Sequence, residues 1–120
     1  MKRDIDLIVK ILRELEETKG ATATVVVEID GYDDELVQYN VGLMHDAGLV
    51  KAKRSLNPLA YHISEVTWEG HDFLDSARNE LVVNKAKEFA KKKGIELFNL
   101  PLEVVKTVLV DCAKKYLLGE

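Results

Sequence analysis

The chain is short of most features that announce a chemistry. It has one cysteine, Cys112, in 120 residues, so an internal disulfide framework is excluded and a reducing, cytoplasmic setting is expected. No apolar run approaches the roughly 20 residues needed to cross a bilayer, so no membrane role is expected. The opening "MKRDIDLIVK" does not read as a signal peptide, because Asp4 and Asp6 interrupt what would be its apolar centre. There is no glycine-rich phosphate loop, no GxSxG elbow and no dinucleotide fingerprint. Internal repeats and low-complexity segments are also missing. Between Asp33 and Gly48 there is not one lysine or arginine.

What remains has the balance of an ordinary soluble globular chain, 47% hydrophobic and 32% charged. The length suits one domain able to bury a core without staples. A net charge of -4 argues against a dedicated nucleic-acid binder, although a local basic patch would be hidden in that total.

Ile5, Ile8, Ile11, Leu12 and Leu15 recur at spacings of three and four, which predicts a helix from about Asp4 to Thr18. Asp4 suits its N-cap and Gly20 its exit. "ATVVVEI", Ala23 to Ile29, is β-branched and short and predicts a strand buried on both faces around Val25–Val27. A second helix is expected from Asp34 to Ala47. Leu36, Val37, Tyr39, Val41, Leu43, Met44 and Ala47 fall on its buried arc, and Asp34, Glu35, Gln38, Gly42, His45 and Asp46 on its polar arc. Asn40 lies nearer the buried side. Asp33 or Asp34 caps the start; Gly48 and Leu49 suit a Schellman close.

"LVKAKRS" and "AYHISEVT" predict a hairpin turned at Asn57-Pro58. Thr67 then caps a helix with Phe73, Leu74, Ala77 and Leu81 inward, running to about Asn84 or on to Lys93, where Gly94 ends it. A last helix follows Pro101, with Val104, Val105, Val108, Leu109, Cys112 and Tyr116 on its buried stripe. The expected class is α+β: a winged-helix-like core over residues 1–83 (helix, strand, helix, hairpin wing, helix), then a C-terminal helical pair over 84–120 on the same domain.

A helix ending in "DAGLV", a hairpin, and "TWEGHDFL" opening the next helix look like the back half of a winged helix. The chain also resembles a family of short bacterial and phage-encoded proteins, a domain of unknown function. The resemblance rests on Met1–Ile8, on Gly31–Val50 and on Thr67–Asp75 ("TWEGHDFLD"), about the first two-thirds of the chain. It implies a winged-helix-like fold and a phage or prophage context, and no activity. One departure matters. The interval "GATATVVVEIDGY" reads as a strand where a helix-turn-helix needs a scaffold helix.

His45-Asp46 and His71-Asp72 raise the question of a metal site. Only three histidines are present, and the convergent ligand spacing that zinc requires is absent. The plainer reading makes His71 and Asp72 solvent-side residues of a first helical turn, with Trp68 covering the seam between wing and helix and Gly70 letting it close. Cys112 on an apolar stripe reads as a buried, inert thiol. Neither catalysis nor a cofactor is expected.

Two partner classes remain. Lys51, Lys53 and Arg54 on the wing, and Lys91, Lys92 and Lys93 further on, are candidate phosphate contacts. Against DNA readout stands the polar arc of the second helix. Asp34, Glu35 and Asp46 would repel phosphates, leaving Gln38 to read a base edge. Those four are instead candidate protein-contact residues. Leu102, Leu117 and Leu118 either lie under the preceding helix or mark a homodimer contact through the last one. The favoured expectation is a regulatory or protein-interaction module, with a DNA-binding regulator as the alternative.

Overall fold

A computed structural model describes residues 2–18 and 23–117. Its elements are α1 (Ile5–Thr18), α2 (Asp34–Asp46), β1 (Val50–Ser55), β2 (Ala60–Val66), α3 (Trp68–Ala77), α4 (Glu80–Lys92), a 3₁₀ turn (Leu97–Asn99) and α5 (Leu102–Leu117). The chain forms two compact units, Met1–His71 and Asp72–Glu120. The class is α+β, with five helices and one two-stranded antiparallel sheet among the described residues. Residue 83, where the sequence divides core from extension, falls inside α4.

In the first unit, α1 follows its periodicity. Ile5, Ile8, Ile11, Leu12 and Leu15 are all buried, joined by Leu7. Asp4 is the cap, its Oδ1 accepting from the Leu7 amide at 3.0 Å. Gly20 lies outside the described residues. This stripe packs on α2 and β2, where Val37, Val41, Met44 and Ile63 are buried. Removing a side chain such as Leu12 from this core would cost about 2–5 kcal/mol.

The end of α2 is a Schellman close. Gly48 takes φ +78, its amide bonds the His45 carbonyl at 3.1 Å, and the Leu49 amide bonds the Met44 carbonyl at 2.9 Å. Asp33 holds the N-cap position without a side-chain cap bond. The same corner receives α3. The Thr67 amide donates to the Leu49 carbonyl at 3.0 Å and its hydroxyl to the Gly48 carbonyl, while Thr67 Oγ1 accepts from the Gly70 amide at 3.0 Å. A Cβ at Gly70 would stand 2.1 Å from the Leu49 carbonyl oxygen, so only glycine lets the helix approach.

Several expectations need correction. Ala23–Ile29 is not a full strand: Val25 alone bridges to Ile63, through bonds of 3.0 and 2.8 Å. It is buried on one face only, with Val27 inside and Val26 outside. The helix opened by Thr67 stops at Ala77, because Asn79 caps a separate α4 by accepting from the Val82 amide at 3.1 Å. Leu81 consequently faces outward. Gly94 does close α4, at φ +74, with the Ile95 amide on the Ala90 carbonyl at 3.0 Å.

In the second unit, α4 packs on α5 and on the 3₁₀ turn, burying Val82, Ala86, Ala90, Leu97, Leu102, Val105 and Leu109. Leu102 therefore has a home. Val104 and Tyr116, expected inside, are exposed, and Val108 and Cys112 are half-buried. Of the two alternatives left open for Leu117, the structure leaves it exposed, and Leu118 lies outside the described residues.

Candidate functional site

Position 38 carries a glutamine that the helical wheel assigns to solvent, yet the residue is 3% exposed. The Val25–Ile63 bridge sets a register in which residue 27 would pair with residue 61. That pairing is not made. The Gln38 amide stands between the strands instead, donating to the Val27 carbonyl at 3.1 Å and accepting from the Tyr61 amide at 2.8 Å. It satisfies both backbone groups, as buried polar groups require, and holds the 23–29 stretch away from the hairpin. Asn40, fully buried, does the equivalent on another side. Its Oδ1 accepts from the Asp4 amide at 2.9 Å, and its Nδ2 donates to the Lys2 and Leu36 carbonyls at 3.2 and 3.0 Å. Gln38 is thus withdrawn from the outward-facing set.

The parting of the strands leaves an open groove of about 430 Å³. Val26, Tyr39, Pro58 and Leu59 supply its apolar surface, and Glu28, Asp34 and Glu35 its charge. Tyr39, expected on the buried arc, is exposed here. No lysine or arginine lines the groove. Leu59 reaches it from the hairpin tip, where Asn57 has φ +64 and the Asn57–Pro58 bond is cis.

Asp34 and Glu35 are brought together in this groove; Asp46 is not. It is exposed at the other end of α2, about 18 Å along the axis by helical rise. There its Oδ1 lies 3.6 Å from His45 Nδ1, and the His45 ring sits 6.2 Å from that of Tyr61. Among the described residues no three His, Cys, Asp or Glu side chains converge to hold a metal. His62 Nε2 instead lies 3.0 Å from Ser55 Oγ.

The wing cations do not form one patch. Lys51 Nζ is 2.9 Å from Glu65 Oε1 across the hairpin, which offsets its charge. Lys53 stands opposite His62 and Arg54 opposite Tyr61, and successive strand residues point to opposite faces of the ribbon. Lys91, Lys92 and Lys93 are exposed in the second unit. There Lys93 lies over Phe89 at 5.4 Å and Lys87 over Phe98 at 5.0 Å, so part of this cluster is engaged with its own aromatic rings.

Trp68 corrects the sequence reading most sharply. It is 84% exposed and covers no seam. Gly70 is the residue that meets Leu49, and two helical positions turn about 200°, which aims residue 68 away from that contact. The Cys112 thiol sits half-buried beside Phe89 and Tyr116. Burial first, and the adjacent Asp111 charge second, raise its pKa above the ordinary thiol value, with Lys115 opposing. No described helix is long and apolar enough to cross a membrane.

The linear pattern held no signal for the groove, because its apolar residues come from three separate stretches, Val26, Tyr39 and Pro58–Leu59, that meet only in the folded chain. An uncharacterized protein of Haemophilus influenzae is 37% identical over 111 residues, covering 90% of this chain and 92% of that protein. No solved structure matches. The family described as "Hypothetical protein (DUF2513)" matches residues 2–96, through both halves of the α2–hairpin arrangement and on to the end of α4. This chain belongs to that family.

Proposed function

We propose that the protein is a non-enzymatic, winged-helix-like interaction module that engages a protein, in preference to duplex DNA, through the start of α2 and the hairpin. One observation carries the reading. The helix preceding the wing, which would enter a major groove in a DNA reader, exposes Asp34, Glu35 and Asp46 and has no lysine or arginine. Its two amide side chains, the natural readers of adenine, are spent inside on Val27, Tyr61, Lys2, Leu36 and Asp4. The winged-helix comparison is supported by the succession α2, hairpin, α3, with the hairpin clamped to both helices at Gly48–Leu49 and Thr67. A bacterial setting is supported by the Haemophilus relative. The phage or prophage association rests on the sequence resemblance alone.

Titration of a generic labelled duplex at low salt tests this. The expected result is no saturable binding at protein concentrations up to about 100 µM, weaker than ordinary non-specific DNA binding. Tight binding with a steep salt slope, lost in Lys53→Glu plus Arg54→Glu, would establish the alternative of a regulator contacting phosphates through Lys51, Lys53, Arg54 and Lys91–Lys93. The exposure of Lys53 and Arg54 is what favours that alternative. Self-association through the second unit is favoured by the exposure of Phe89, Val104, Tyr116 and Leu117. A mass that rises with concentration would demonstrate it.

A further inference from the structure

We infer that the groove between the 23–29 stretch, the start of α2 and the hairpin tip binds a cationic segment of a partner protein: one or two aliphatic side chains flanked by lysine or arginine. The inference deepens the proposed interaction role and rests on it. Val26, Tyr39 and Leu59 are 39%, 36% and 38% exposed, so three large apolar side chains in one groove stand partly in water. Around them are Glu28, Asp34 and Glu35, with no cation among the lining residues.

That pairing of surfaces selects among ligands. An anionic peptide or a phosphate would be repelled by three carboxylates. A wholly apolar segment would strip water from those carboxylates and leave them unpaired. A polar basic segment would satisfy the charges and leave the apolar floor wet. A segment carrying both features desolvates the floor and offers charge-assisted bonds to the rim, arginine best because its fork matches a carboxylate. The volume of about 430 Å³ lies in the range of small-ligand pockets, enough for a few side chains and too little for a folded domain. The site is also built in advance. Asp34, Glu35 and Tyr39 lie on α2, and Gln38 sets the gap between the strands, so little ordering is needed on binding.

Two labelled peptides of equal positive charge test this on the full chain by fluorescence anisotropy. One alternates lysine and arginine with leucine and valine; the other has serine and glycine in place of the apolar residues. The apolar peptide is expected to bind at least about tenfold tighter. Glu28→Lys with Glu35→Gln should weaken it by about tenfold or more, and Tyr39→Ser should erase the difference between the peptides. Circular dichroism checks that each variant is folded; if Tyr39→Ser is not, Leu59→Ser at the hairpin tip reads the same contact. Equal binding of the two peptides, or binding indifferent to these substitutions, overturns the inference. A concentration-dependent mass that Leu59→Ser lowers assigns the groove to a second copy of the chain and overturns it as well. The duplex titration judges the broader reading separately: no DNA binding together with no peptide discrimination removes only the groove's ligand.

Discussion

The side chain of Gln38 accepts the Tyr61 backbone amide at 2.8 Å, in the place where a neighbouring strand would have accepted it. A helix residue has been substituted into a sheet ladder, and the groove is the gap that this leaves.

Replacing Gln38 should therefore cost more than a surface change. Gln38→Ala orphans the Tyr61 amide and the Val27 carbonyl, and a loss of about 2–4 kcal/mol is expected in urea unfolding. Gln38→Glu should fall in the same range at neutral pH, since a carboxylate cannot donate to Val27. Hydrogen exchange at the Tyr61 amide should accelerate most in Gln38→Ala, since Gln38→Glu keeps an acceptor for that amide.

Gly70→Ala should be severe for a different reason. The new methyl would lie 2.1 Å from the Leu49 carbonyl oxygen and 2.7 Å from Val66 Cγ1, and backbone cannot step aside cheaply. A loss of about 3 kcal/mol is expected, at the upper end of ordinary single substitutions. A denaturation midpoint unchanged from wild type would contradict this account of the corner.

Trp68 is the chain's one tryptophan, so its fluorescence reports a single site. At 84% exposure its emission should lie close to that of tryptophan in water, and acrylamide should quench it almost as freely. Trp68→Ala should change stability by no more than about 0.5 kcal/mol. Blue-shifted, protected emission would mean that the indole is covered.

Cys112 should alkylate slowly at neutral pH. With the thiol pKa raised by burial and by Asp111, the thiolate fraction grows only at pH above the usual thiol range, so the rate profile should shift towards alkali. Asp111→Asn removes one raising influence and should move the profile back to lower pH. Iodoacetamide kinetics across pH check both the direction and its reversal.

Local chemistry was readable in the letters. The Ile5–Leu15 stripe, the Asp4 cap, the Gly48–Leu49 close and the Thr67 cap each depend on residues within a few positions of one another. The break at Asn79 was not readable in the same way. "SARNEL" holds no glycine or proline to stop a helix, and the break appears as extended backbone at Asn79, whose side chain accepts from the Val82 amide. Part of the candidate site was equally visible: Asp34 and Glu35 were expected outside and are. Its apolar half was hidden, because Tyr39 follows a pattern that equally describes a core residue.

By itself, then, the sequence determined where most helices and the hairpin start and stop, and that α2 shows anions to its surroundings. The tertiary structure decided which side chains those elements hide. Gln38 is buried by groups 11 and 23 positions away, and Trp68 is left in water because Gly70 takes the contact at Leu49. Capping and periodicity are interactions of neighbours along the chain. Burial is set by whichever distant segment arrives to cover a face, and no local pattern specifies that segment.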